Sequence, residues 1–220
     1  MKERIVVSWS GGKDSTMALY KILSENRYTV DSLLTTVTEG YNRISIHGVR
    51  ETLLDQQAKS LGFPLRKVYI PQNSSNAVYQ EKMNEQFKQI KAEGIDTVLF
   101  GDIFLKDVRS YRENLLKPFD MKAIFPLWDI PTHELVKEFI AQGFQTVTTC
   151  IDTDKLSDDY LGRFIDHTFI KELPKSVDPC GENGEFHTFT FTGPIFREKI
   201  SFTLGEKVDR GRFHFCELID

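Results

Sequence analysis

Cysteine is scarce in this sequence, and no two cysteines lie close together. Among 220 residues only Cys150, Cys180 and Cys216 occur, at separations of 30 and 36 residues. Their number is odd and there is no CxxC pair, which argues against a disulfide framework and against a cysteine-rich zinc site. Reduced thiols of the kind found in cytosolic proteins are expected instead.

Long apolar runs and a signal sequence are absent as well. No apolar run approaches the roughly 20 residues of a membrane-spanning helix. The N-terminal segment MKERIVVSWSGG contains about five apolar residues, fewer than the roughly 7–15 of a signal peptide. We therefore expect no membrane contact, no targeting segment and a cytoplasmic location.

Basic residues do not predominate. The chain has 28 Lys+Arg and 32 Asp+Glu, a net charge of −4 with the five His counted as neutral, and no run of five basic residues. We therefore expect no nucleic-acid binding. With 40% apolar and 27% charged residues, the composition is typical of a globular protein and excludes collagen-like and largely disordered chains. One domain, or one domain with a small appendage, is expected.

Strand patterns and helix patterns alternate through the first hundred residues. Three segments with helical spacing of apolar residues each follow a short apolar or β-branched run. The predicted strands cover residues 4–8, 30–37, 65–70 and 95–100, and the predicted helices cover 14–26, 49–61 and 76–93. This alternation predicts βαβ units, that is, a parallel sheet with helices on both faces.

The pattern is less regular after residue 106. We predict a helix over 107–116, a short strand over 123–125, a helix over 132–142 with Thr132 as its N-cap, a strand over 144–151, and a polar helix-then-loop region over 154–185. Alternating apolar residues between 200 and 215 predict an antiparallel hairpin whose turn lies within 205–211.

The strongest motif is SGGKDS at positions 10–15, which directly follows the first predicted strand and opens the first predicted helix. Gly11 and Gly12 allow a sharp turn and leave room for a ligand against the backbone. The first N–H groups of the helix and its dipole favour an anion there, and Lys13 adds a mobile positive charge. The spacing is neither that of a Walker A loop nor that of a GxGxxG fingerprint. The motif predicts a cradle for a compact anion such as pyrophosphate, and the simpler alternative is a glycine turn with a surface lysine.

SGGKDS after a first strand resembles the PP-loop of the ATP pyrophosphatases, a superfamily that cleaves ATP into AMP and pyrophosphate. Further segments narrow the resemblance: HGVR at 47–50, GDI at 101–103 with YRE at 111–113, PLW at 126–128 and DPCGENGEFHT at 178–188. Together they resemble the diphthine–ammonia ligase family over essentially the whole chain. SGGKDS alone marks only the superfamily, whereas CGENGEFHT is close to family-specific. Larger members of that family carry extra C-terminal domains, so this chain resembles the catalytic unit alone.

The resemblance implies an α/β fold with two parts. A parallel-sheet PP-loop (HUP/Rossmann-like) ATP-binding domain is expected over residues 1–130, and a small C-terminal mixed α+β elaboration that forms the substrate site is expected over 131–220. The implied activity is that of an ATP-dependent ligase that adenylates a diphthine-like carboxylate and uses ammonia to displace AMP. ATP, Mg²⁺ and ammonium are the implied cofactors and small partners.

Two further questions stay open at this point. The acid is carried by an elongation factor 2-like protein or is a small molecule, and a homo-oligomer is compatible with the sequence. The alternatives for function are the same chemistry on another carboxylate, such as a corrinoid side chain in B12 salvage, and an ATP-binding sensor without catalysis.

We expect the nucleotide near the carboxyl ends of the first, second and fourth predicted strands. Asp14 either orients the turn or meets the metal through water, or it simply caps the helix. Asp102 ends a buried strand at the edge where ligands collect in open α/β sheets. The expected nucleotide-binding residues are Ser8, Ser10, Gly11, Gly12, Lys13, Asp14, Ser15, Thr36, Gly101 and Asp102.

The remaining motif residues are assigned to the acid and to ammonia. The predicted substrate-binding residues are His47, Arg50, Tyr111, Arg112, Asn183 and Gly184, with Arg109 beside them. The predicted catalytic residues are Lys13, which would neutralise the departing pyrophosphate, and Glu182, Glu185 and His187, among which the proton acceptor is left open. Simpler alternatives are surface salt bridges at the arginines and a solvated polar turn at 182–187.

Two negative predictions concern the same loop. Cys180 is expected to be an inert or hydrogen-bonding thiol, because a nucleophilic cysteine needs a depressed pKa. Glu185 and His187 alone are too few ligands to predict a metal site.

Overall fold

The computed structural model describes residues 2–40, 43–44 and 48–220. Within these ranges the first sheet contains β1 (Glu3–Ser8), β2 (Tyr28–Thr38), β3 (Arg43–Ile44), β4 (Leu65–Ile70), β5 (Thr97–Leu99) and β6 (Lys122–Ile124). Strands β4, β2, β1, β5 and β6 lie side by side and run parallel, while β3 is antiparallel to the end of β2. The chain first moves outward from β1 to β2 and β4 and then returns to β5 and β6. The strand order therefore reverses at β1, and ligands of open α/β sheets bind beside such a reversal.

Helices make the crossovers between the parallel strands. They are α1 (Lys13–Glu25), α2 (Glu51–Leu61), α3 (Asn76–Ala92) and α4 (Lys106–Leu116), and α5 (Thr132–Ala141) and α6 (His167–Glu172) follow. Gly62 ends α2 with φ 80, its N–H donates to the carbonyl oxygens of Ala58 and Lys59, and Pro64 prevents continuation. No helix in the described part of the chain is both long and apolar enough to cross a bilayer.

Two helix caps differ from the sequence predictions. Gly12, with extended backbone, precedes α1, and Asp14 lies in the first turn, where its carboxylate pairs with the ammonium of Lys13. Asp14 is therefore not an N-cap. Pro131 precedes α5, and the hydroxyl of Thr132 donates to Oδ2 of Asp178 at 2.6 Å. The prediction of Thr132 as an N-cap was wrong because its side chain finds a partner far away in sequence.

A second, antiparallel sheet contains β7 (Gln145–Asp152), β8 (Phe186–Thr192), β9 (Thr203–Arg210) and β10 (Phe213–Ile219), in the order β8-β7-β10-β9. Strand β8 was not predicted from the sequence, although FHTFTFT alternates with the period of a strand. The predicted hairpin is present as β9–β10, but its turn falls at residues 211–212. Gly205 lies within β9, where a Cβ atom would be 2.9 Å from Ile219 and 3.0 Å from Glu217. Glycine at 205 therefore serves close packing and does not form the turn.

Both faces of the first sheet are buried. In β1, Ile5 and Val7 belong to one apolar cluster and Val6 to another, as the alternation of a strand requires. The larger cluster continues into the second sheet through Phe189 and Leu218. The predicted α/β class is thus confirmed. The core extends across residue 130, and the domain boundary expected there stays a prediction.

The turn after β1 joins the two sheets. The carbonyl oxygen of Gly11 accepts hydrogen bonds from the N–H of Thr190 and from Nε2 of Gln57, both at 2.9 Å. Nε2 of Gln57 also donates to the carbonyl oxygen of Thr190 at 2.6 Å, and its Oε1 accepts from Nε1 of Trp9 at 3.0 Å. Gln57 is fully buried. A buried amide with this many partners fixes α2, the turn and β8 in one arrangement.

We predict that Gly11→Ala destabilises the protein more than Gly94→Ala. Both glycines have φ +77, but a Cβ atom at Gly11 would lie 2.7 Å from Oε1 of Gln57, whereas a Cβ at Gly94 meets nothing within 4 Å. Gly94→Ala should cost about 1–2 kcal/mol for the left-handed backbone. Gly11→Ala should cost about 1–3 kcal/mol more, because it disturbs the buried amide. Urea unfolding measures both, and equal losses would contradict the role given to Gln57.

Candidate active site

A cleft of about 830 Å³ opens at the carboxyl ends of β1, β2 and β5. The turn after β1, the helices α3 and α4, the loop that precedes β8 and the first residues of β8 surround it. The predicted site residues that line the cleft are Ser8, Ser10, Lys13, Asp14, Ser15, Thr36, Gly101, Asp102, Tyr111, Arg112, Glu182, Gly184 and His187. Motifs from three distant parts of the sequence therefore face one cavity.

The start of α1 has the geometry of an anion cradle. The hydroxyls of Ser10 and Ser15 are 3.2 Å apart, and Oγ of Ser10 accepts from the N–H of Gly12 at 3.3 Å. The N–H groups of Asp14 and Ser15 lie in the first turn of α1. N–H groups in the first turn of a helix have no carbonyl partner within the helix. A Cβ atom at Gly101 would lie 3.0 Å from the nitrogen of Ser15, so glycine there keeps this edge of the helix accessible. The arrangement fits a phosphate group.

Lys13 is buried at the back of this cradle. Its Nζ is 2.8 Å from both carboxylate oxygens of Asp14 and donates also to the carbonyl oxygen of Cys180. Only 4% of its side chain is exposed. Burial disfavours the charged form, but the carboxylate of Asp14 and the negative groups around it outweigh burial and raise the pKa of Lys13. The lysine is therefore charged, and its three donors are in use.

Glu182 brings a carboxylate with a raised pKa into the cleft. Its Oε1 accepts a hydrogen bond from the N–H of Ile103 at 2.8 Å. Burial is the main cause that raises the pKa of Glu182 to about 7. The Ile103 hydrogen bond and the charge of Lys13 oppose this pKa shift, and the charges of Asp14 and Asp102 add to it. A carboxylate with such a pKa exchanges protons readily near neutral pH.

The loop that carries Glu182 is held by its own hydrogen bonds. Oδ1 of Asp178 accepts from the N–H groups of Cys180 and Glu182, at 2.9 and 3.2 Å. Oε1 of Glu185 accepts from the N–H of Asp178 at 3.0 Å and from Nδ2 of Asn183 at 3.1 Å. Glu185 and Asn183 thus stabilise the loop from behind, and neither lines the cleft. Their predicted roles toward ammonia and substrate stay predictions.

Cys180 does not have the surroundings of a nucleophile. The thiol is buried, and its Sγ lies 3.4 Å from the carbonyl oxygen of Thr132, to which it donates. Burial raises the pKa of Cys180, whereas nucleophilic thiols have a depressed pKa. This agrees with the expected inert or hydrogen-bonding role.

Helix α4 places Arg112 and Tyr111 on another wall of the cleft. Nε of Arg112 is 3.6 Å from Oδ2 of Asp102, too long for a hydrogen bond, and the guanidinium lies over the Phe100 ring at 5.3 Å. Burial raises the pKa of Asp102, and Arg112 partly offsets this. The hydroxyl of Tyr111 donates to Oδ1 of Asn76 at 3.2 Å. Nε of Arg112 has no hydrogen-bond partner within the described ranges.

Some predicted residues lie elsewhere. The guanidinium of Arg109 lies over Trp128 at 4.5 Å and pairs with Glu113 at 2.9 Å, outside the cleft. These contacts are those of the simpler alternative, a surface salt bridge, and contact of Arg109 with the acid stays a prediction. Arg50 pairs with Glu217 at 3.2 Å, also outside the cleft, and its substrate role stays a prediction. His47 falls outside the described residues.

The sequence analysis missed much of the apolar wall of the cleft. That wall includes Trp9, Leu34, Tyr79, Met83, Phe87 and Phe100. In the sequence these residues have the spacing of core positions on helices and strands, so no local signal separates them from the rest of the core. Thr188 was also missed, although its hydroxyl accepts from the N–H of Lys13 at 3.0 Å.

Comparison with known proteins agrees with this geometry. Family models for the diphthamide synthase N-terminal and C-terminal domains match residues 3–123 and 131–218. The diphthine–ammonia ligase of Rattus norvegicus is 27% identical, and that of Homo sapiens 26%, each over 93% of this chain and 85% of the relative. Among solved structures, the U34-tRNA thiolase NcsA from Methanococcus maripaludis matches 64% of this chain and 58% of its own, at 17% identity and a TM-score of 0.39. A likeness of that extent decides nothing about this chain.

The parallel sheet, the glycine turn and the cleft beside β1 define a protein of the α/β class with a ligand cleft at the carboxyl ends of its strands. Within that class the chain belongs to the diphthamide synthase family, whose two domain models cover most of its length. It is therefore an enzyme, and its curated relatives are ligases. The family resemblance inferred from CGENGEFHT is confirmed.

We predict that Glu182→Gln gains stability relative to the parent as the pH rises from 5 to 8. A pKa raised from 4.5 to about 7 means that the folded state binds more protons than the unfolded state between these values, so parental stability falls as pH rises through this window. Glutamine removes that loss, which should be on the order of 1–3 kcal/mol, and keeps an acceptor for Ile103. Urea unfolding at both pH values measures it. A difference that is the same at pH 5 and pH 8 would contradict the buried position of Glu182.

Proposed function

We propose that this chain is an ATP-dependent ligase that adenylates the carboxylate of a diphthine residue on a protein and uses ammonia to displace AMP. The observation that carries the proposal is the placement of an anion cradle at the start of α1 in the same cleft as the carboxylate of Glu182 and the guanidinium of Arg112. The names of the curated relatives, diphthine–ammonia ligases, support the choice of acid and of nitrogen donor.

The cradle at Ser10–Ser15 suits the β- and γ-phosphates of ATP. A carboxylate oxygen of the acid attacks the α-phosphorus, the bond to the bridging oxygen breaks, and pyrophosphate leaves toward the helix. Negative charge then collects where the helix dipole and the N–H groups are directed, which lowers the barrier. The hydroxyl of Ser10 adds another donor at this end, whereas the hydroxyl of Ser15 donates to the carbonyl oxygen of Gly12 at 3.0 Å.

Mg²⁺ fits the same end of the cleft as an ion carried by the nucleotide. No cluster of three or more metal-ligating side chains is found among the described residues. Mg²⁺ is usually held by substrate phosphates, water and one or two carboxylates. Asp14 and Asp102 line the cleft and supply carboxylates of that kind.

Arg112 suits the acid. A guanidinium recognises a carboxylate through two parallel hydrogen bonds. The contact of Arg112 with Asp102, at 3.6 Å, leaves its donors available for such a partner. Lys13, which is the second basic side chain among the described lining residues, already has both oxygens of Asp14 and a carbonyl oxygen as partners.

Glu182 is the first candidate for the base that accepts the proton lost by ammonia. Ammonia attacks the carbonyl carbon of the acyl-adenylate, AMP leaves, and one proton passes from nitrogen to a base in the cleft. A carboxylate with a pKa of about 7 is able to accept it at neutral pH. His187 lines the same cleft and is the second candidate for the proton acceptor.

We predict that the protein converts α-labelled ATP into AMP when ammonium and elongation factor 2 bearing diphthine are both present. If AMP forms equally well with a corrinoid carboxylate, the enzyme carries out the same reaction on an acid other than diphthine. ATP that binds and stays intact with every acid would indicate a sensor, and ADP as the product would contradict cleavage at the α-phosphate. Thin-layer chromatography of the labelled nucleotide distinguishes these outcomes.

We predict that Arg112→Met raises the KM for the acid about 10- to 100-fold with a smaller effect on the KM for ATP, because it removes charge-assisted hydrogen bonds to the acid. Arg109→Met is the matched control, since it changes the same residue type on the same helix outside the cleft, and it should leave both KM values close to those of the parent. Steady-state kinetics with each substrate varied in turn measures the difference. A larger rise in the KM for ATP would assign Arg112 to the nucleotide.

A further inference from the structure

The ammonium of Lys13 donates all of its hydrogen bonds to groups of the protein itself. Its Nζ has three N–H donors, and these meet the two carboxylate oxygens of Asp14, at 2.8 Å each, and the carbonyl oxygen of Cys180. A phosphate in the cleft would have to replace one of these contacts. Because a buried charge that loses its partner is strongly destabilising, replacement of Asp14 is unfavourable, and the contact with Cys180 is the one at stake.

Lys13 also contacts the segment 178–188 at two further points. Its backbone N–H donates to the hydroxyl of Thr188 at 3.0 Å, and its Nζ lies 5.6 Å from the centre of the Phe186 ring. The first turn of α1 is thus attached to both ends of this segment through a single residue. The sequence separation is 167 residues for Cys180, so no local preference creates these contacts.

Glu182 lies in the sequence between Cys180 and Thr188, the two residues to which Lys13 donates hydrogen bonds. Its N–H donates to Oδ1 of Asp178, and its carboxylate accepts from the N–H of Ile103. The position of this carboxylate in the cleft therefore depends on where the backbone at Cys180 lies. Lys13 supports that backbone from the side of the nucleotide cradle.

We propose that Lys13 is a positioning residue, whose ammonium fastens segment 178–188 to the nucleotide turn and so places Glu182, while the phosphates are held by the backbone N–H groups and the Ser10 hydroxyl of the cradle. This assigns Lys13 a different task from the neutralisation of pyrophosphate expected from the motif. The inference uses the proposed ligase function only for its kinetic readout.

The test is Lys13→Met, which keeps the apolar stem and removes the ammonium. Hydrogen exchange of the amides of Gly181 and Glu182 should become about 10-fold faster or more, because the segment opens locally. The dissociation constant for ATP, measured by calorimetry without acid, should stay within about 3-fold, while kcat falls about 10- to 100-fold. Lys21→Met is the matched control: Lys21 lies on the same helix and pairs with Glu138, and its variant should change none of these quantities.

Two outcomes would overturn the proposal. One is ATP binding weakened 10-fold or more by Lys13→Met with unchanged exchange at 178–188, which would make Lys13 a phosphate ligand. The other is found in the parent protein, which removes any dependence on whether the variant folds. If ATP itself speeds exchange at Gly181 and Glu182, the ammonium leaves Cys180 for the phosphates; unchanged or slower exchange supports the proposal. Neither readout requires turnover, so a wrong acid or a missing ligase activity would not affect them.

Discussion

The carbonyl oxygen of Gly11 is the point on which the architecture depends, because it accepts hydrogen bonds from the second sheet and from α2 at once. Its donors, the N–H of Thr190 and Nε2 of Gln57, are buried. A buried backbone carbonyl needs such partners, and here they come from parts of the chain 46 and 179 residues away. The turn between β1 and α1 therefore does not lie on the surface of one sheet. It joins the two sheets, and contacts from both sides set its shape.

A second feature of the cleft is the sign of the charged side chains that line it. Among the described residues that line the cleft, carboxylates outnumber basic side chains: Asp14, Asp102, Asp107 and Glu182 face the same space as Lys13 and Arg112. Burial raises the pKa of Glu182 and of Asp102, and the nearby cations, Lys13 for Glu182 and Arg112 for Asp102, offset this only in part. An anionic substrate in such a cleft has to be held by fixed dipoles and by an accompanying cation. The start of α1 supplies the dipoles and leaves Lys13 for the support of its neighbouring loop.

Local patterns were sufficient for most of the fold and for the first half of the site. Alternation of β1 through β5 with helices follows from the spacing of apolar residues and from breakers such as Gly62 and Pro64, which act within a few residues. The turn at Gly11 and Gly12 was predictable because a glycine pair between a strand and a helix specifies its own turn. Two predictions from local patterns were wrong. Thr132 is a residue type that often caps helices, but its hydroxyl bonds to Asp178, and Gly205 is a residue type that often forms turns, but it packs against the neighbouring strand.

The sequence by itself determined the parallel sheet, the place of the glycine turn between β1 and α1 and the family resemblance carried by CGENGEFHT, because these depend on neighbours along the chain. Only the tertiary structure decided that Glu182 faces the cleft while Glu185 is turned into the loop behind it, that Arg112 faces the cleft while Arg109 packs on Trp128, and that the ammonium of Lys13 is directed to Cys180. These orientations depend on burial and on hydrogen bonds between segments remote in sequence. The residues next to a side chain in the sequence do not indicate which distant partner it contacts.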